Sequence, residues 1–182
     1  MNHGSWSLFA IVMALAPACR STASNQGQAT VDARVATAVF ERLKALEGDW
    51  SGTATMGDES FAVETRWRST GGGSAVVETL FVGTPHEMVT MYHLDGPRLM
   101  LTHYCAARNQ PRMVASAATA PADAGFEASF TFLDCTNLES PGAMHMHDAW
   151  MAMDASGVLR SRWTAWLAGK PDHDAAFELR RK

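Results

Sequence analysis

At 182 residues, with 15 basic and 19 acidic side chains and a net charge of −4, the chain is long enough for about one domain with a sizeable core. No Lys/Arg cluster stands out, which argues against nucleic acid as a partner, because phosphate recognition needs a basic face. The same balance argues against an anionic membrane surface, so membrane contact is expected through a lipid anchor alone.

Residues 1–30 are expected to lie outside the fold. Trp6–Ala16 is an apolar run of signal-peptide length, too short to span a bilayer as a helix. Ala16-Pro17-Ala18 then offers a small-x-small cleavage pattern, although Met1-Asn2-His3 lacks Lys or Arg. Leu15-Ala16-Pro17-Ala18-Cys19 resembles a bacterial lipobox, with the leucine four rather than three residues before the cysteine. The expectation is an exported, periplasmic lipoprotein: residues 1–18 a signal peptide, Cys19 lipidated, and 19–30, rich in Ser, Thr, Gln and Ala, a disordered tether. Ordinary secretion after cleavage at Ala18 is the alternative. Export would place Cys105 and Cys135 in an oxidising compartment, where a disulfide, worth about 3 kcal/mol, and two separate thiols are both open readings.

The folded domain spans 31–182. Thr30 as N-cap, Val31, Val35, Val39, Leu43 and Leu46 at helical spacing, and Gly48 as stop predict one amphipathic helix. Everything after Asp49 has strand texture. The predicted strands are Trp50–Met56, Ser60–Arg68, Ala75–Val82, Glu87–Leu94, Arg98–Cys105, Arg112–Ser116, Phe126–Leu133, Met144–Met153, Val158–Leu167 and Ala175–Arg181. Gly/Pro/Asp clusters separate them at hairpin spacing, which makes them antiparallel. The expected fold is all-β: a closed antiparallel barrel of about ten strands with one N-terminal helix, since closure removes exposed edges.

Leu46-Glu47-Gly48-Asp49-Trp50-Ser51-Gly52 resembles the opening of calycin barrels (lipocalins, fatty-acid-binding proteins and nitrobindins), where Gly-x-Trp follows a short helical element. The resemblance implies that Trp50 closes the barrel floor against an arginine near the end of the barrel, here Arg180 or Arg181. It covers 31–182 as architecture and about seven residues as motif. Residues 88–113 also look like a stretch found in bacterial exported proteins.

Residues 86–113 carry the most information about function. Alternation runs through Met88–Leu94, is broken by Asp95-Gly96-Pro97, and resumes at Arg98–Tyr104. A two-residue loop at Asp95-Gly96 would pair Leu94 with Pro97, which has no N–H for that rung. A four-residue loop between His93 and Arg98 keeps the same register. Either way Met88, Thr90 and Tyr92 share a face with Leu99, Leu101 and His103, and this uncharged face is expected to point inward. Apolar residues mixed with polar rings suit a wall that touches a ligand, so Thr90, Tyr92, Leu101 and His103 are candidate contacts. His145 and His147 form a His-x-His pair on one strand. With His103 they make a three-histidine metal site sterically conceivable, although methionines surround them and no carboxylate-rich shell is evident. Arg112, in a polar bend, is a candidate for a ligand carboxylate at the barrel mouth.

Motifs for catalysis are scarce. His86-Glu87 begins like a zinc-peptidase helix, but position 90 is Thr, and no Gly-x-Ser-x-Gly or phosphate-binding loop occurs. The leading expectation is a non-enzymatic barrel whose small, mostly apolar ligand is held by these residues. Similarity to nitrobindin implies an alternative, a haem-binding barrel acting on small oxidants, with His103, His145 or His147 as proximal ligand. A third reading is a structural lipoprotein whose barrel is filled by its own side chains. The interior volume separates them: an empty space of several hundred Å³ favours a ligand, and a filled interior favours the structural reading.

Overall fold

The computed structural model describes residues 31–122 and 125–182. The leader, Cys19, the tether and the Thr30 cap expected from the sequence lie outside these residues. Helix α1 (Ala33–Lys44) is followed by β1 (Gly48–Met56), β2 (Glu59–Thr70), β3 (Ala75–Leu80), β4 (Met88–Asp95) and β5 (Arg98–Tyr104). The second half comprises β6 (Gln110–Thr119), β7 (Phe126–Thr136), β8 (His145–Met153), β9 (Leu159–Leu167) and β10 (Lys170–Arg181). Each strand pairs antiparallel with its sequence neighbours and β1 pairs with β10, so the ten strands form a closed barrel.

Period-two alternation makes the interior. In β2, Val63, Thr65 and Trp67 are buried while Glu64, Arg66 and Arg68 are exposed. One such change of sign per residue leaves the strand a single way to sit. Gly52 lies at the seam between β1 and β10, where a Cβ would stand 1.9 Å from the Glu178 carbonyl oxygen. No other residue fits that approach, and the barrel closes there because residue 52 has no side chain.

Helix α1 covers one end. Asp32 supplies its N-cap, accepting from the Arg34 N–H at 2.8 Å, so the cap lies two residues later than the sequence placed it. Ala36, Val39, Phe40 and Leu43 are buried against the core, and Leu46 follows them in. Trp50 sits beneath, buried, its Nε1–H donating to the Leu46 carbonyl at 2.8 Å. The Arg181 guanidinium lies 4.9 Å over the Trp50 ring and donates to the carbonyls of Ala45 and Glu47. One cation therefore closes the helix C-terminus, where exposed carbonyls favour positive charge, and stacks on the ring that floors the barrel.

The β4–β5 hairpin differs from expectation in register but not in facing. Asp95 pairs with Arg98 and Leu94 with Leu99, so Gly96-Pro97 forms the turn. Gly96 takes φ +57°, and Pro97 falls where its missing N–H costs no ladder bond. The pairing is offset by two residues from the expected one, and an even offset keeps every side chain on its face. Strand β10 starts at Lys170 rather than Ala175, because Ala168 and Gly169, both at positive φ, complete a two-residue turn. Pro171 is accommodated beside a bulge.

Candidate functional site

The cross-strand register lays one row of residues across four strands. Trp67 of β2 stands opposite Glu78 of β3, Glu78 opposite Thr90 of β4, and Thr90 opposite His103 of β5. All four are buried inside the barrel. Tyr92, two residues along β4, donates its hydroxyl hydrogen to Glu78 Oε2 at 2.8 Å and stacks on Trp67 with ring centroids 5.6 Å apart. Thr90 Oγ1 and His103 Nδ1 are hydrogen-bonded at 2.9 Å. A polar chain thus runs through a mostly apolar interior.

Burial decides the charge of this chain. Loss of water pushes the Glu78 carboxyl up to about 7, against the smaller opposing effect of the Tyr92 hydrogen bond. Burial raises Tyr92 well above the ordinary phenol range, and the Glu78 charge adds to it. The same loss of water lowers His103 to about 4, so its imidazole is neutral at physiological pH. With Nδ1 engaged by Thr90, His103 Nε2 is left buried and without a partner, as is Nε1 of the neighbouring Trp163. An orphaned buried polar atom costs about 1–3 kcal/mol and calls for an explanation.

Nε2 belongs to a residue that lines a cavity of about 20 Å³ near the end opposite α1. Met56, Met88, Met146, Trp163 and Phe177 form most of the rest of its wall, and His103 is its only ionisable residue. Phe81, on the loop after β3, packs against the core beside this end, its ring centroid 5.8 Å from Phe177 and 6.3 Å from Phe61. Its backbone is held at φ +56°, a left-handed conformation costly for a bulky residue. Hydrogen bonds from the Thr84 N–H (3.1 Å) and hydroxyl (2.8 Å) to the Phe81 carbonyl keep it there.

The sequence-derived candidates separate into an interior set and others. Thr90, Tyr92, Leu101 and His103 are all interior, with Leu101 paired to Tyr92 and away from the cavity wall. His145 and His147 are neighbours, as their spacing requires, with ring centroids 5.6 Å apart. They do not join His103. A bulge between Met146 and Asp148 re-aims this end of β8, so that Met146 lines the cavity. His147 is instead stacked between Trp166 (3.7 Å) and Phe132 (4.9 Å). The conceivable three-histidine site does not form: among the described residues no group of three His, Cys, Asp or Glu side chains can hold a metal ion. Arg112 points outward from β6 and is engaged by both carboxylate oxygens of Asp134, its Nε at 2.6 Å from Oδ1. Cys105 and Cys135 are unbonded, and burial raises both thiols, which favours their protonated form.

Glu78 is absent from the sequence-derived set. Its signal was an acidic residue at the centre of Ala75–Leu80, in phase with Val76 and Leu80 on what becomes the buried face. Compared with known protein families and with curated proteins, the chain matches none.

Proposed function

We propose that this chain is an exported, lipid-anchored, calycin-like barrel that binds a small, mostly apolar ligand at the end opposite its helix and does not transform it. The calycin assignment is supported by the helix, the Gly-x-Trp opening and the Trp50–Arg181 stack, which follow the pattern that the motif implies. Export and lipidation rest on the sequence of residues 1–19. One observation carries the ligand: a cavity wall of methionines and aromatic rings that includes His103, whose buried Nε2 has no partner. Such a wall favours an apolar body, and the nitrogen favours one hydrogen-bonding group. Methionines rearrange at low cost, which lets the cavity enlarge around a guest.

The volume of about 20 Å³, far below several hundred, favours a second reading, a structural barrel filled by its own side chains. It fits a haem badly. The unpaired Nε2 suits an iron ligand, but a rigid group of haem's size needs a preformed space of roughly 300–1,000 Å³, whereas a short alkyl chain can be admitted by the turning of methionine side chains. Titration with primary alcohols from butanol to octanol, read as thermal shift and as tryptophan fluorescence, tests the binding reading. Saturable stabilisation is expected for at least one member, weakened about tenfold by His103→Leu, which keeps bulk but removes the polar anchor. If no alcohol stabilises the protein, the filled-barrel reading stands instead.

A further inference from the structure

The cavity beside His103 has a property that an organic ligand does not use. Three of its walls come from methionines on three different strands, Met56 of β1, Met88 of β4 and Met146 of β8, with His103 on β5. We propose that this cavity is a binding site for one soft monovalent cation, copper(I) or silver(I), held by His103 Nε2 and the Met56, Met88 and Met146 thioethers.

Four observations carry this beyond the organic-ligand reading. The donor set is the first. Thioether sulfur selects soft cations and neutral imidazole accepts them, whereas zinc favours thiolate, imidazole or carboxylate, and calcium and magnesium favour carboxylate, carbonyl or water. No carboxylate or thiol lines the cavity, and no group of three His, Cys, Asp or Glu side chains occurs among the described residues. The second is the state of the imidazole. Its Nδ1 is hydrogen-bonded to Thr90 Oγ1 at 2.9 Å and its buried Nε2 has no partner, which is how a ligating histidine is ordinarily oriented. The third is volume. About 20 Å³ accommodates one atom-sized guest, since a single water needs roughly 10–15 Å³ by the same measure.

Charge is the fourth. A cation enclosed by apolar walls needs a counter-charge, and the only buried carboxyl among the described residues, Glu78, stands on the same cross-strand row, opposite Thr90. Trp163, with its ring centroid 5.0 Å from the His103 ring, lines the same cavity and supplies both a π face and a fluorescent reporter. Sulfur needs no precise preset position, because unbranched methionine side chains can turn toward an ion.

The test uses the full chain with Cys19, Cys105 and Cys135 all changed to serine, so that thiols cannot supply the affinity. Silver(I) is titrated directly, and copper(I) in competition with a chromophoric chelator under anaerobic conditions. One equivalent of each is expected to bind, quench tryptophan fluorescence and shift methionine methyl resonances, with zinc(II) producing none of these. Met88→Leu/Met146→Leu conserves volume and removes two sulfurs, and should weaken silver(I) at least 100-fold while thermal unfolding of the metal-free protein stays near that of the thiol-free parent. His103→Leu should weaken both silver(I) and alcohol. Absence of silver(I) binding in the thiol-free chain overturns the proposal, as does undiminished binding after the methionine substitutions. Loss of alcohol binding alone refutes the organic-ligand reading and leaves this one standing.

Discussion

Replacing Glu78 by glutamine isolates one term in the pH dependence of stability. The carboxyl moves from an ordinary 4.5 to about 7 on folding, chiefly through burial. At about 1.4 kcal/mol per pH unit, that difference corresponds to about 3 kcal/mol between its two protonation states. Below pH 4.5 the carboxyl is protonated in both folded and unfolded chains, and it costs nothing. As pH rises, the unfolded chain ionises first, and stability falls until the folded carboxyl has also ionised, near pH 7. His103 works in the other direction. Lowered to about 4 from 6.5, it contributes stability above 6.5 that is lost as pH falls toward 4. Between 4.5 and 6.5 the two slopes oppose each other, so these groups together leave the native protein nearly flat there. Glu78→Gln removes the carboxyl slope and keeps an acceptor for the Tyr92 hydroxyl. The amide brings its own cost, but that cost is the same at every pH. Relative to the native protein, the variant should gain about 3 kcal/mol between pH 4.5 and 8, or roughly 6–12 °C in Tm for a domain of this size. It should also acquire the acid-side decline of His103. Urea unfolding midpoints at half-unit pH intervals measure both. Parallel curves for native and variant protein would refute the assignment of Glu78 as a buried, strongly shifted carboxyl.

Two further substitutions probe the frame and the leader. Gly52→Ala brings a Cβ within 1.9 Å of the Glu178 carbonyl and should cost about 3 kcal/mol or more, seen as a lower denaturation midpoint with the largest loss of amide protection along β1 and β10. Cys19→Ser should move the protein from the membrane to the soluble periplasmic fraction, and unchanged fractionation would remove the lipid anchor while leaving export intact.

The strands were legible because alternation and turn residues are local signals. Each of the ten predicted strands has its counterpart, and the uncharged face of 88–104 is the inner one. Trp50 and its arginine were legible through a motif, although two adjacent arginines left the partner open until the β1–β10 pairing placed Arg181 opposite Trp50. Long-range facts were not legible. Arg112 reads as a free cation until β7 brings Asp134 beside it. The bulge in β8 depends on the match to β9, so period two alone kept His145 and His147 together but gave no route to seeing Met146 as the residue that reaches the cavity. Glu78 is hard to read from sequence for a related reason. A carboxyl inside a strand reads as a solvent-facing residue unless its phase against neighbouring valine and leucine is given priority over its charge.

The Arg181 contacts to the carbonyls of Ala45 and Glu47 join residues 136 and 134 positions apart, and the seam they flank pairs the first strand with the tenth. That geometry has a kinetic consequence. Until the tenth strand arrives, the nine preceding strands form an open sheet with two unpaired edges, and Trp50 has neither its cation nor one side of its ladder. Such edges are templates for pairing with other chains, and contacts this distant along the chain slow the final closure. The barrel therefore completes itself late and from its end. Stopping the chain before β10 should yield a partly paired, aggregation-prone sheet instead of a smaller stable barrel.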